Sequence, residues 1–139
     1  MKHHYPWKHG APRTVFITGA SSGIGRAMAQ ELAAAGASIA LFNRSDARAV
    51  LLDLRAASTN PEQRFACYRA DVGKAQAIAA AVAQAVQELG APDLAIHSAG
   101  VLHNGPLLQS SAADFEQVVD VNLKGTRQKK KKEPGPAPP

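Results

Sequence analysis

Sulfur and aromatic groups are scarce in these 139 residues, which hold one cysteine, two tyrosines, one tryptophan and four phenylalanines. The lone Cys67 excludes an internal disulfide, and its place inside the apolar run "FACYRA" predicts a buried structural thiol. No stretch approaches the roughly 20 consecutive apolar residues that a membrane span needs. The opening "MKHHYPWKHGAPR" has no apolar centre of the signal-peptide kind, so a cytoplasmic location is expected. His3, His4, His9 and His103 are scattered without metal-ligand spacing, and each is expected on a solvated surface, with no metal site.

With 45% apolar and 19% charged residues, the composition is that of one soluble globular domain. The net charge of +5 suggests a nucleic-acid partner until it is counted by region. Lys2, Lys8 and Arg13 open the chain, and five basic residues against Glu133 follow from Arg127. Residues 14–126 hold eight basic and ten acidic side chains, so the folded part is mildly acidic and no specific nucleic-acid partner is expected. Three regions follow: a basic extension over 1–12, a folded domain over 13–126, and a tail over 127–139. The tail combines four consecutive lysines with four prolines in its last six residues, a disordered composition whose alternative use is weak, salt-sensitive contact with a polyanion.

Four short apolar runs mark strands: 14–18, 38–42, 65–70 and 93–97. They are nearly continuous rather than alternating, as strands covered on both faces are. Helical patterns lie between them. Ile24, Met28 and Leu32 form the apolar stripe of the first; Ile78, Val82, Val86 and Leu89 form that of the third. Residues 46–57 predict a weaker second helix, and Gly36 and Gly90 stand where left-handed caps end the first and third. Ser111-x-x-Asp114 reads as a capping box opening a fourth helix with Phe115, Val118 and Val119 on one face. The order βαβαβαβα predicts parallel strands in a doubly wound α/β sheet.

Between the first strand and first helix runs "TGASSGIG", Thr18 to Gly25. Gly19 permits a tight turn, Gly23 removes a side chain where a ligand can approach the backbone, and Gly25 lets the helix pack on the strand. The free N–H groups and positive end of the helix then face an anion, which makes the loop a pyrophosphate cradle. No lysine follows, so it is not a Walker A loop, and its spacing is not G-x-G-x-x-G. Taken alone, the glycines are equally compatible with a plain flexible turn.

Four more stretches follow in one order: "NR" at Asn43-Arg44, "DV" at Asp71-Val72, "HSAG" at His97–Gly100, and "VNLKGT" at Val121–Thr126. Together with "TGASSGIG" they resemble the short-chain dehydrogenase/reductase family from about Arg13 to Thr126. The resemblance implies a Rossmann-type sheet of order 3-2-1-4, incomplete here, binding a nicotinamide dinucleotide and acting on an alcohol or carbonyl substrate that the sequence does not specify. It gives Gly19, Ser21, Ser22, Gly23, Ile24 and Gly25 to the cofactor phosphates and ribose, Asp71 and Val72 to the adenine, and Ala99 and Gly100 to the wall beside the cofactor. Asp71 has an alternative use as the cap of a helix starting near Lys74.

An NAD site calls for a carboxylate about 20 residues past the glycines, to accept from the ribose hydroxyls. Asn43 stands there, and Arg44 offers paired donors to a 2′-phosphate, so NADP(H) is favoured over NAD. Asp46 nearby, or an Arg44 turned to solvent, is the opposing reading. His97-Ser98 replaces the asparagine-containing pair usual in the family, and His97 is read as structural.

Asn122 lies on the apolar stripe of the fourth helix, one turn from Val118 and Val119, where an amide calls for a kink or a held water. The resemblance makes it the asparagine of the family's Asn-Ser-Tyr-Lys catalytic set. The chemistry of that set needs a tyrosine made acidic by a lysine four residues on, and neither Tyr5 nor Tyr68 has one. The expectation is a truncated or frame-shifted product that keeps the cofactor-binding half to about Thr126 and lacks turnover. The fourth strand would then be an exposed sheet edge through which the chain could self-associate.

Overall fold

The computed structural model describes residues 13–128. The expected basic extension and all but the first two residues of the expected tail lie outside the described residues. Four strands, β1 (Thr14–Thr18), β2 (Ser38–Asn43), β3 (Phe65–Arg69) and β4 (Leu94–His97), form one parallel sheet of order β3-β2-β1-β4. Between them come α1 (Gly23–Ala34), α2 (Arg48–Ala57) and α3 (Ala75–Leu89). Beyond β4 and a 3₁₀ turn at Leu107–Gln109, α4 (Ala112–Val118) continues through a π-helical stretch (Val119–Lys124) into α5 (Gly125–Gln128). The helical run thus passes Thr126 and reaches Gln128. No described helix is long and apolar enough to cross a membrane.

Side chains alternate between the faces of a strand. Val15, Ile17, Ile39 and Leu41 therefore pack with Ala29, Leu32, Ala33, Val50 and Leu54 from α1 and α2. Phe16, Ala40, Phe42 and Tyr68 pack on the other face with Ile78, Ala81, Ala85 and Leu89 of α3. Because both faces are covered, every residue of β1 is buried and β2 is buried from Ile39 onward, which explains their unbroken apolar runs. Phe42 joins two ring contacts, to Phe16 at 5.3 Å and Tyr68 at 5.4 Å between centroids.

Several expectations need correction. The stripe Ile24, Met28, Leu32 is not the buried face of α1: Ile24 is 76% exposed, and the helix buries Gly25, Ala29, Leu32 and Ala33. Small residues bring this helix close to the strands, and a large apolar side chain there would hold it away. In α3, Ala81 and Ala85 replace Val82 and Val86 on the buried face for the same reason. Phe115 is 68% exposed. Cys67 is half-buried, because β3 is an edge strand. Helix α2 begins at Arg48 rather than 46, since Asp46 is used in the turn before it and accepts from the Arg48 N–H at 2.9 Å. The capping box is present: Ser111 Oγ accepts from the Asp114 N–H, and Asp114 accepts from the Ser111 N–H at 2.9 Å. Gly36 and Gly90 have the positive φ read from their positions, +98° and +91°, but Gly90, with ψ of 171°, is extended rather than in the left-handed helical conformation expected of it.

Candidate functional site

The carboxyl ends of all four strands open into one cleft of about 520 Å³. Its floor is the turn from β1 to α1. Gly19 has φ +70°, and a Cβ there would lie 2.5 Å from both Cα and N of Ala99, so the turn is kept bare to let the loop after β4 pass over it. Gly23 has φ +56° and nothing within 4 Å of a built Cβ: it faces open space. Gly25 is the packing glycine, its Cβ position only 2.4 Å from the Gly19 carbonyl oxygen.

Ser22 precedes α1 and makes no side-chain cap hydrogen bond, and no acidic residue sits in the first turn. The positive end of a twelve-residue helix is thus left uncompensated at the cleft, with its first N–H groups facing outward. The turn is fastened to β2 at two points. The Gly19 N–H donates to the Phe42 carbonyl at 3.0 Å, and the Ser21 N–H donates to Asn43 Oδ1 at 3.1 Å. Asn43 is 3% exposed, and its Nδ2 has no hydrogen-bond partner among the described residues.

Around this floor the structure assembles Gly19, Ser21, Ser22, Gly23, Ile24, Arg44, Asp71, Val72, Ala99 and Gly100 as lining. Of the expected cofactor residues only Gly25 stands behind the surface. Asp71 does not cap α3: its Oδ1 accepts from the Gly73 N–H at 2.9 Å, closing a turn, and Lys74 precedes the helix without a side-chain cap. Asp46 is paired with Arg48, whose Nε reaches Oδ1 at 3.1 Å and Oδ2 at 2.8 Å while Nη2 reaches Oδ2 at 2.6 Å. That guanidinium holds the Asp46 carboxyl below the usual carboxylate range and occupies both oxygens.

Asn122 lies outside the lining but governs it. Its Oδ1 accepts from the Val101 N–H at 2.8 Å, and its Nδ2 donates to the Val101 carbonyl at 2.9 Å. It sits inside the π-helical stretch, so the amide on an apolar stripe coincides with a change in helical winding. Residues that sequence reasoning passed over also build the site. Thr18 Oγ1 accepts from the Ala99 N–H at 3.3 Å; Ser45, Ser98, Val101 and Val121 complete the wall. Thr18, Ser98 and Val121 lay within the quoted motifs, whereas Ser45 and Val101 stand one residue beyond them.

Of the two tyrosines, Tyr68 is described, and its hydroxyl donates to Glu88 Oε2 at 2.6 Å. Burial and the neighbouring carboxylate push its phenol well above the ordinary value, the reverse of what an acid catalyst at neutral pH requires.

The short chain dehydrogenase family model matches residues 13–130. The chain belongs to the short-chain dehydrogenase family. Its sheet order is that of the family's Rossmann-type neighbours. The short-chain reductase protein NovJ of Streptomyces niveus is 39% identical over 79% of this chain, which covers 41% of NovJ. An NADPH-dependent pterin aldehyde reductase of Arabidopsis thaliana is 34% identical over 83% of the chain and 47% of that protein. A solved structure of an NADH-dependent reductase, A1-R′ complexed with NAD, superposes with a TM-score of 0.74 at 30% identity, covering 85% of this chain and 49% of the other. The chain therefore spans between about two-fifths and half of the length of these relatives. The family is one of oxidoreductases that bind nicotinamide dinucleotides, and the relatives named include both an NADPH-dependent and an NADH-dependent reductase.

Proposed function

We propose that these residues form the NADP(H)-binding half of an oxidoreductase acting on an alcohol or carbonyl. One observation carries the reading: the bare Gly19–Gly25 turn and the uncompensated start of α1 face the same cleft as Arg44, Asp71, Val72, Ala99 and Gly100. The residues fit a dinucleotide because a diphosphate needs outward N–H groups and no side-chain bulk, and the open space at Gly23 supplies both. Ser21, Ser22 and Ile24 flank the phosphates, Asp71 and Val72 stand at the adenine end, and Ala99 and Gly100 wall the nicotinamide side.

The preference for NADP(H) rests on spent and unspent groups. At the end of β2 stands the amide of Asn43, 3% exposed and tied through Oδ1 to the Ser21 N–H, where an NAD site calls for a carboxylate. Asp46 is committed to Arg48. Arg44 lines the cleft and presents a guanidinium for a 2′-phosphate.

When bound, the nicotinamide exchanges a hydride with the substrate carbon, and a protein group must move the accompanying proton. Asn122 is the member of the family's catalytic set that this sequence contains; no Tyr-x-x-x-Lys occurs in it. Tyr68 is held at Glu88 with its phenol made less acidic, so it offers no replacement. These 139 residues therefore hold cofactor without turning over.

Fluorescence titration with NADPH tests the first claim: saturable binding tighter than that of NADH is expected, and Gly23→Val should weaken it more than tenfold. Absence of NADPH binding overturns it. A carbonyl-reduction assay tests the second, and NADPH-dependent turnover by this chain would refute it.

A second reading, a nucleotide-binding interaction module, is favoured by the surface beyond β4. Leu102, Leu107, Leu108, Phe115 and Leu123 are each at least 68% exposed, and they follow β4, an edge strand of the sheet, in the chain. On this reading the chain associates with a second copy of itself, and sedimentation at rising concentration should reveal a dimer; a monomer throughout would discard it.

A further inference from the structure

Behind Arg44, outside the lining of the cleft itself, stands a second arginine that sequence spacing conceals. Arg69 ends β3, 25 residues from Arg44, but the parallel register sets it directly beside Asn43, the last residue of β2. Its side chain shares a face with Cys67 and Phe65, the face on which Asn43 also stands. From there Nε donates to the Arg44 carbonyl at 3.2 Å, while the Ala70 N–H donates to the Asn43 carbonyl at 2.9 Å. The two loops that rim this end of the cleft are thus laced together, and the peptide carrying Arg44 is held from below by a guanidinium.

Charge accounting gives that contact a use beyond fastening. Nη1 and Nη2 of Arg69 make no hydrogen bond among the described residues. The neighbouring carboxylate, Asp46, is already bonded through both oxygens to Arg48. Three guanidiniums, Arg44, Arg48 and Arg69, thus stand near two carboxylates, Asp46 and Asp71, and among the described residues Arg44 and Arg69 make no salt bridge. An exposed corner with that surplus is matched by a dianion, and a phosphomonoester carries about −1.5 to −2 charges at neutral pH.

We infer that Arg69 is a positioning residue for the 2′-phosphate of NADP(H): it anchors the Arg44 peptide so that Arg44 faces the phosphate, and adds a second positive charge behind it. This rests on the NADP(H) reading above. Arg44 itself makes the direct contact; Arg69 acts through it.

The test compares the full chain with its R69M, R69K, R44A and doubly substituted R44A/R69M forms, measuring dissociation constants for NADPH, NADH and 2′,5′-ADP, the last a probe of the adenosine end alone. R69M should weaken NADPH and 2′,5′-ADP about tenfold, the scale of a charge-assisted hydrogen bond softened by exposure, while NADH changes less than twofold. R69K, which restores charge but not the fork, should recover part of the loss. Combined with R44A, R69M should add less than it does alone, because little is then left to position.

Loss of NADPH and NADH in equal measure by R69M would make Arg69 a merely structural strut and overturn the inference. So would a wild-type NADPH preference that R69M leaves intact; in that case the NADP(H) reading survives and only Arg69 loses its role. A wild-type chain that binds NADH as tightly as NADPH, or neither, overturns both.

Discussion

Asn122 and Val101 hold each other through a closed pair of hydrogen bonds, amide nitrogen to carbonyl at 2.9 Å and peptide N–H to amide oxygen at 2.8 Å. One side chain thereby does for the loop after β4 what a neighbouring strand residue would do. Both backbone groups of Val101 are satisfied by a helix 21 residues away in sequence, and the loop is drawn over the cleft as part of its wall.

Asn122→Ala should therefore cost about 1–2 kcal/mol of stability, two hydrogen bonds at an exposed site. Amide exchange at Val101 should speed up with it. Asn122→Asp keeps the acceptor and loses the donor, setting a carboxylate against the Val101 carbonyl; it should be at least as damaging. Unchanged exchange at Val101 in both variants would show that the pair does not hold the loop.

The glycines of the first turn should separate folding from binding. Gly19→Ala combines a left-handed backbone with a Cβ 2.5 Å from Ala99, a collision with main chain that no rotamer relieves. A loss of about 2–5 kcal/mol is expected from strain plus overpacking. Gly23→Ala meets open space and should cost only about 1–2 kcal/mol of backbone strain, while its effect on dinucleotide affinity exceeds that of any equally destabilising substitution elsewhere. Melting curves and NADPH titrations of the two variants check this; equal losses of stability would contradict the geometry.

These glycines also mark the boundary of what sequence can tell. Strands β1 and β2 were legible because a strand covered on both faces must be apolar throughout, the edge strands β3 and β4 by their short apolar runs, and the turn from Thr18 to Gly25 because positive φ and close approach leave glycine as the residue that fits. The helix faces were not. Ala29, Ala81 and Ala85 bury more completely than Met28, Val82 and Val86, since α1 and α3 lie too near the sheet for larger groups, and hydrophobicity does not encode that distance. Asn43 and Arg69 were beyond reach for another reason: strand register, a long-range property, makes them neighbours. The π-helical stretch sat between these cases, since the misplaced amide of Asn122 signalled a disturbance without giving its form.

The Tyr68–Glu88 hydrogen bond yields a prediction at high pH. Burial, then the Glu88 carboxylate, raises the phenol pKa in the folded state. A raised folded value contributes stability that is present in full below the unfolded value of about 10 and is lost as pH climbs through the folded one. Absorbance of the phenolate should accordingly show one tyrosine titrating above the ordinary range. Tyr68→Phe should remove that step, cost about 1 kcal/mol near neutrality, and let the Glu88 pKa return upward from its lowered position. Two tyrosines titrating together near pH 10 would refute the assignment.

At the other end of the scale, the capping box of α4 sets an acid limit. Asp114 accepts from the Ser111 hydroxyl at 2.6 Å and from the Ser111 N–H at 2.9 Å, and these bonds, the hydroxyl first, hold its carboxyl below the ordinary value of 3.8. His103 Nδ1, 3.6 Å from Asp114 Oδ1, adds to this when protonated. A depressed folded value means stability present above pH 3.8 and withdrawn as pH falls through the lower, folded one. Acidification should thus unfasten the first turn of α4 only below pH 3.8, with the Ser111 amide resonance following the Asp114 carboxyl. Ser111→Ala deletes the hydroxyl, so the Asp114 pKa should rise toward 3.8 and the start of α4 should fray at neutral pH as well. An Asp114 titration that is the same with and without the Ser111 hydroxyl would show that the box does not set the carboxyl's acidity.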